Sequence, residues 1–244
     1  MEEKQVKSKQ RIADHGEVFT AEREVNAMLD LVKQETERID SRFLEPACGD
    51  GNFLSAILGR KLAVVTKKYR RSAYDWERNA LLALGSLYGI DILFDNVISC
   101  QERLFEIWNK EYKAVCKKEC NEETRASARF ILGLNIVCGN ALTLRRAGEK
   151  GDELKTPIVF SEWTFPFNDA RMQRKDYTLA ELLVAAGQND ETRQADRQNP
   201  FTNEDGGVEP IFLRQHIAHY RHIFEDDARW RESYRHLPLG GAKK

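Results

Sequence analysis

The chain has 244 residues, of which 41% are hydrophobic; this suffices for one full α/β domain with additional segments but not for two large independent domains. Its 38 Lys and Arg nearly balance its 39 Asp and Glu, so the formal net charge of −1 excludes a protein that binds nucleic acid through a strongly basic overall charge. A nucleic-acid partner would have to be met by a local patch.

The beginning of the chain, MEEKQVKSKQ, is polar, and no stretch approaches the ~20 apolar residues of a membrane span. We therefore expect a soluble, cytoplasmic protein without a membrane partner. The five cysteines are an odd number scattered through apparent core segments, which favours reduced thiols over a disulfide framework.

The first predicted element is an amphipathic helix over residues 20–38 with Thr20 as its N-cap. Its apolar residues recur at helical spacing: Val25, Met28, Leu29 and Val32. A short apolar strand at Phe43 and Leu44 then leads through a glycine turn into a second helix.

Helices and strands alternate through the rest of the first 185 residues. A helical run over 77–87 precedes the strand YGIDIL, a helix over 95–117 and a charged helical hairpin follow, and NIVCGNAL and PIVFSEW are two further strands. This order predicts an α/β fold with a mostly parallel sheet over residues 1–185.

The last part of the chain has a different composition. Residues 186–210 are rich in Gln, Asn, Asp, Gly and Pro, which predicts a flexible linker, mobile over 187–209. Residues 211–244 are predicted to form a C-terminal helical segment, with Ile217, Tyr220 and Phe224 on one stripe.

The loop from Glu45 to Phe53 has the most chemical content. Gly49 and Gly51 lie where a strand ends and a helix begins, so the backbone can approach a ligand closely. The next strand ends at Asp91, whose carboxylate can accept hydrogen bonds from ribose hydroxyls. The long spacing to Asp91 and the missing third glycine disfavour nicotinamide cofactors.

Four segments in this order, HGEVFTAEREVNAML, LEPACGDGNFL, GIDIL and CGNAL, resemble motifs of the N6-adenine DNA methyltransferases of restriction–modification systems. The resemblance covers residues 11 to about 142. It implies a Rossmann-like methyltransferase fold and S-adenosylmethionine as cofactor.

By this resemblance, Phe19 and Thr20 would close over the methionine end of the cofactor. Phe19 is also suited to a hydrophobic staple against the next helix. Further residues would line that end: Glu45, Ala47, Gly49 and Gly51.

The adenosine end would be held by the following two strands. Asp91 would bind the ribose and Ile92 would lie against the adenine ring, although a buried strand residue is an equally good interpretation of Ile92. Asn140, where the family more often has Asp, would accept a hydrogen bond from the adenine amino group through its side-chain carbonyl.

The family's base-binding motif, an Asp, Asn or Ser followed by Pro-Pro and an aromatic residue, is absent from the fourth strand. Its only loose equivalents are Thr164, in the position of the amide, and Phe167, in the position of the stacking aromatic. A strand end that packs Trp163 and Phe165 in the core is the preferred interpretation. The chain also lacks the further strands and target-recognition region that a complete methyltransferase needs.

Three hypotheses of function follow. The first is an adenine-N6 DNA methyltransferase of a restriction–modification or phage-defence system, with DNA and a restriction or specificity subunit as partners. The second is a catalytically silent cofactor-binding subunit that needs a partner; a small-molecule methyltransferase ranks third.

Two further patterns have ordinary interpretations, and no metal site is expected. His216, His219 and His222 recur every three residues, which is typical of a solvated helix face when no acidic or cysteine ligand is near. The basic stretch over 67–71 suits either a phosphate backbone or a solvated helix junction.

Overall fold

The structure, a computed structural model, describes residues 20–187 and 212–225. It confirms the α/β class. The helices are α1 Glu22–Leu31, α2 Lys33–Thr36, α3 Asn52–Tyr69, α4 Ala73–Gly85, α5 Phe94–Cys116, α6 Glu122–Asn135 and α7 Leu179–Gly187, with a 3₁₀ turn at Lys117–Glu119. The strands are β1 Phe43–Glu45, β2 Leu87–Asp91, β3 Ile136–Asn140, β4 Arg145–Ala147, β5 Glu153–Pro157, β6 Val159–Thr164, β7 Arg171–Thr178 and β8 Arg214–His219.

The larger sheet is mixed rather than mostly parallel. Its order is β1-β2-β3-β4-β5, in which β1, β2 and β3 are parallel and β4 and β5 run antiparallel to their neighbours. The helix pair α3 and α4 connects β1 to β2, and the pair α5 and α6 connects β2 to β3. The parallel part is therefore the part in which helices alternate with strands along the chain.

The predicted fourth strand is formed but belongs to a second sheet. β6 pairs with β7, and β7 with β8, in a three-stranded antiparallel sheet that packs against α4 and α6. A buried ion pair, Arg174 Nε to Asp176 Oδ1 at 3.1 Å, lies on the β7 strand of this sheet. Ser161 donates to the same carboxylate oxygen at 2.7 Å.

The C-terminal helix prediction is wrong for the described residues, where Arg214–His219 is a strand paired with β7. The segment after it is held by Glu77 of α4, a fully buried carboxylate. Glu77 accepts hydrogen bonds from Tyr220 at 2.6 Å, from Tyr112 at 2.5 Å and from Arg221 Nη2 at 2.7 Å. The predicted linker, 186–210, lies outside the described residues from 188 onward, as does its predicted mobility.

Helix ends follow local sequence signals. The Ser72 hydroxyl caps α4 by accepting from the Asp75 N–H at 3.2 Å, and Asn121 caps α6 by accepting from Thr124 N–H at 2.8 Å. The predicted helix over 20–38 is instead broken at Val32 into α1 and α2. Within the described ranges, no helix has the length and apolar character needed to cross a membrane.

Candidate functional site

The carboxyl ends of the three parallel strands form a cleft of about 600 Å³. Glu45, Asp91 and Asn140 are the last residues of β1, β2 and β3, so parallel pairing brings them to one edge of the sheet. The cleft is lined by Thr20, Glu45, Pro46, Ala47, Cys48, Gly49, Asn52, Phe53, Asp91, Ile92, Leu93, Asn96, Gly139, Asn140, Ala141 and Leu142. Seven of the predicted cofactor residues are therefore brought together, while Gly51 supports the loop and Phe19 lies outside the described residues.

The glycine loop is a tight turn that only glycine accommodates without strain. Gly49 and Gly51 have φ values of 53° and 91°, in the left-handed region. A Cβ on Gly51 would lie 2.7 Å from Cys100 Sγ. The loop is joined to β2 by the Cys48 N–H, which donates to the Ile90 carbonyl at 2.9 Å.

Asp91 organises this loop from the neighbouring strand. One carboxylate oxygen accepts from the Gly49 N–H at 2.9 Å, and the other accepts from the Leu93 N–H at 2.8 Å and from Asn96 Nδ2 at 3.3 Å. The residue predicted to bind ribose thus also fixes the distance between the glycine loop and the start of α5. Its removal would affect both the wall of the cleft and any ligand in it.

Glu45 places a partly buried carboxylate at the end of β1. Burial raises the pKa of Glu45 above its ordinary value, opposed by a weak hydrogen bond from the Ala47 N–H at 3.4 Å. Desolvation disfavours the charged form, and a ligand cation beside Glu45 would offset this by stabilising the carboxylate.

Asn140 is oriented differently from the prediction. Its side-chain oxygen accepts from the Leu142 N–H at 2.9 Å and from the Thr143 N–H at 3.4 Å, which builds the turn after β3. The two backbone donors identify this atom as the oxygen, so the amide NH₂ is the group left to face a ligand. Asn140 is therefore expected to donate to a ligand rather than accept from it.

Two apolar side chains at the cleft are unusually exposed. Ile92 is 40% exposed and Leu142 is 93% exposed, at the ends of adjacent strands. Exposed ends of β2 and β3 thus offer apolar surface for a flat ring. Ile92 is therefore not the buried strand residue that was the alternative interpretation. The sequence does not identify Leu142 as a cleft residue, because its exposure depends on the turn that follows β3.

Charged and polar groups from α3 and α5 brace the loop. Arg103 donates to Asn52 Oδ1 at 2.6 Å and forms an ion pair with Asp50 at 3.1 Å. Asn52 in turn donates to the carbonyl of Thr20 at 3.3 Å, which joins the start of the described chain to the cleft. Arg103 lies far from the loop in sequence, and no local pattern could have identified it.

Thr164 and Phe167 lie away from this cleft. Glu162 of β6 pairs with Arg42 at 2.8 Å, and a Cβ on Gly85 would meet Trp163 at 2.7 Å. Arg42 and Gly85 precede β1 and β2, so the second half of β6, which ends at Thr164, lies toward the amino ends of the parallel strands and away from the carboxyl edge. Trp163 is buried, in agreement with the preferred interpretation of this segment as core.

The cysteines and histidines of the described ranges form no metal site. All five cysteines are free thiols, and a hydrogen bond with Cys100 together with burial raises the pKa of Cys48 well above its ordinary value. On β8, His216 and His219 point to opposite faces of the strand, so the predicted helical stripe is not formed. Among the described residues, no group of three or more His, Cys, Asp or Glu is arranged to hold a metal ion.

Comparisons of the chain with models of known protein families, with curated proteins and with solved structures find no match.

Proposed function

We propose that this chain binds S-adenosylmethionine as a Rossmann-like, methyltransferase-like protein of the adenine-N6 DNA type. The observation that carries the proposal is the meeting of Glu45, Asp91 and Asn140 with the glycine loop at one edge of three parallel strands. Ligands of open α/β sheets bind at this edge. The volume of the cleft falls within the range of about 300–1,000 Å³ typical of small-molecule sites.

The residues present suit the chemical groups of this cofactor. Glu45 would attract the ammonium group of the methionine part, and Asp91 would accept from the ribose hydroxyls. Ile92 and Leu142 would cover the faces of the adenine ring. The amide NH₂ of Asn140 would donate a hydrogen bond to a ring nitrogen of adenine. An Asp at this position would instead accept a hydrogen bond from the exocyclic amine of adenine.

Within this proposal, a cofactor-binding subunit that depends on a partner is favoured over a self-sufficient enzyme. The specific observation is the separation of Thr164 and Phe167 from the cleft. A methyl transfer requires the target amine in line with the sulfonium, and neither Thr164 nor Phe167, the loose equivalents of the family's amide and stacking aromatic, lines the cleft. The partner would supply that base site and the sequence recognition.

Isothermal titration calorimetry of the full chain with S-adenosylmethionine, and with its demethylated product, tests the proposal. We expect saturable binding that Asp91→Ala weakens by about 5- to 150-fold, because charged hydrogen bonds are removed. Asp95→Ala is the matched control, since Asp95 does not line the cleft. The absence of saturable binding to the wild-type chain would refute the proposal.

A further inference from the structure

The end of α3 carries four exposed cations close together. Some described cations elsewhere form ion pairs, as Arg60 does with Asp30, Arg103 with Asp50 and Arg129 with Glu102. Within residues 20–187 and 212–225, no carboxylate oxygen lies within 4 Å of the four exposed cations at this end. These cations are Lys67, Lys68, Arg70 and Arg71.

The neighbouring helix adds cations to the same surface. Lys67 and Arg70 of α3 and Lys110 of α5 line one groove of about 610 Å³, with Leu62 and Ile107 among its apolar lining. Lys113 lies one turn further along α5 and is also exposed. Glu111 is the acidic residue of this groove. We call the six cations Lys67, Lys68, Arg70, Arg71, Lys110 and Lys113 the basic end.

Helix-dipole compensation accounts for only part of this arrangement. A cation in the last turn of a helix typically contributes about 0.3–1 kcal/mol by offsetting the negative carbonyl end, and the effect is limited to that turn. Lys110 lies well before the end of α5 at Cys116, and Arg71 lies beyond α3. Several like charges gathered around one groove repel one another unless a polyanion neutralises them.

We propose that the basic end binds the phosphate backbone of double-stranded DNA. Lysine and arginine side chains that converge on a groove neutralise successive phosphates and release their counterions, which needs no base contact. The choice of DNA among polyanions rests on the proposed function. The inference that this surface binds a polyanion does not rest on the proposed function, because it follows from the clustering of the cations.

The basic end lies far from the cofactor cleft. α3 begins at the cleft with Asn52 and has 18 residues, so its other end is about 27 Å away. A DNA duplex rises about 3.4 Å per base pair, so a duplex lying along α3 would span about eight base pairs between the cleft and the basic end. The contact is therefore an accessory one that holds the duplex at a distance from the cleft.

Fluorescence anisotropy of the full chain with a labelled mixed-sequence duplex tests the proposal at several salt concentrations between about 50 and 200 mM. The test variant carries Lys67→Gln, Lys68→Gln, Arg70→Gln and Arg71→Gln. We expect it to bind at least tenfold more weakly, with a salt dependence shallower by about 0.9 for each phosphate that is no longer neutralised, or about 3 to 4 in total. Unchanged melting by circular dichroism checks that the variant is folded.

The matched control removes four exposed cations from other surfaces, by Arg23→Gln, Lys150→Gln, Lys155→Gln and Arg214→Gln. We expect the control to retain most of the affinity and the salt slope of the wild-type chain. Equal reductions of affinity in both variants, no DNA binding by the wild-type chain, or equally effective competition by polyglutamate would each overturn the proposal. Calorimetry with S-adenosylmethionine on the same preparations separates this result from a failure of the cofactor proposal.

Discussion

At the scale of single residues, Gly51 and Gly59 lie near one another in sequence but in opposite surroundings. Gly51 has a left-handed φ and no room for a side chain, because Cys100 Sγ would lie 2.7 Å from its Cβ. Gly59 lies within α3, is exposed, and has no atom within 4 Å of an added Cβ. The backbone conformation and the packing therefore require glycine at position 51. At position 59 they do not, and helix propensity alone decides the effect of a substitution there.

We expect Gly51→Ala to lower the free energy of unfolding by about 1–3 kcal/mol, through backbone strain and overpacking, and to weaken cofactor binding. Gly59→Ala should instead raise that free energy by about 0.5–1 kcal/mol, since Ala is the better helix former. Urea unfolding measures both. Equal effects in the two variants would show that the loop tolerates a side chain.

Lys61 is a fully buried residue of α3 whose ammonium group joins several segments. Its Nζ donates to the carbonyls of Arg38 and Ile39, both at 3.0 Å, and to the Ser86 hydroxyl at 2.8 Å. Burial lowers the pKa of Lys61 to about 7. In the unfolded chain the same group stays charged up to a pKa of about 10.4.

Above about pH 7 the unfolded chain therefore holds more protons at Lys61 than the folded chain, and stability must rise with pH. Relative to Lys61→Met, the wild-type chain should gain about 1–2 kcal/mol between about pH 7 and 8.5. Urea unfolding of both proteins at both pH values checks this. Parallel pH profiles would mean that Lys61 stays charged in the folded protein.

At the scale of elements, β8 is held by its pairing with β7 and by the network around Glu77. Glu77→Gln keeps the shape of the side chain but removes the charge that Arg221, Tyr112 and Tyr220 share. We expect the variant to lose about 1–3 kcal/mol of stability and its β8 amides to exchange faster with solvent. Hydrogen exchange measures this, with the exposed Glu106→Gln as control; unchanged protection of β8 would contradict the anchoring role.

Elements with local signals could be predicted from the sequence, and those with distant partners could not. The loop around Gly51 and the acid Asp91 were identified because a strand, glycine turn and helix are adjacent in the chain. β8 was mistaken for a helix because its pairing partner β7 lies outside its own segment, and Ile217, Tyr220 and Phe224 also fit a helical spacing. The alternation on β7 was hidden because its buried positions include the charged pair Arg174 and Asp176.

At the scale of the whole molecule, the cleft and Thr164, the last residue of β6, lie toward opposite ends of the parallel strands. We expect the purified chain, incubated with labelled S-adenosylmethionine and adenine-containing DNA, to transfer methyl groups at least about 10²- to 10³-fold more slowly than the ~1 per second of an ordinary enzyme. Thr164→Ala with Phe167→Ala should not change the residual rate. Turnover at ~1 per second by the chain alone would make the dependence on a partner wrong.

The network around Glu77 has a consequence for folding during synthesis. Glu77 is fully buried, and its cation, Arg221, is separated from it by 144 positions in sequence. Until Arg221 leaves the ribosome, closing the helical layer would bury a carboxylate without its cation, at a cost of several kcal/mol. We therefore expect α4 and α5 to form early and their final packing to follow only when nearly the whole described chain has been translated. A translational pause before residue 221 would leave this layer open, with the aromatic surface of Trp76 and Trp108 accessible to chaperones.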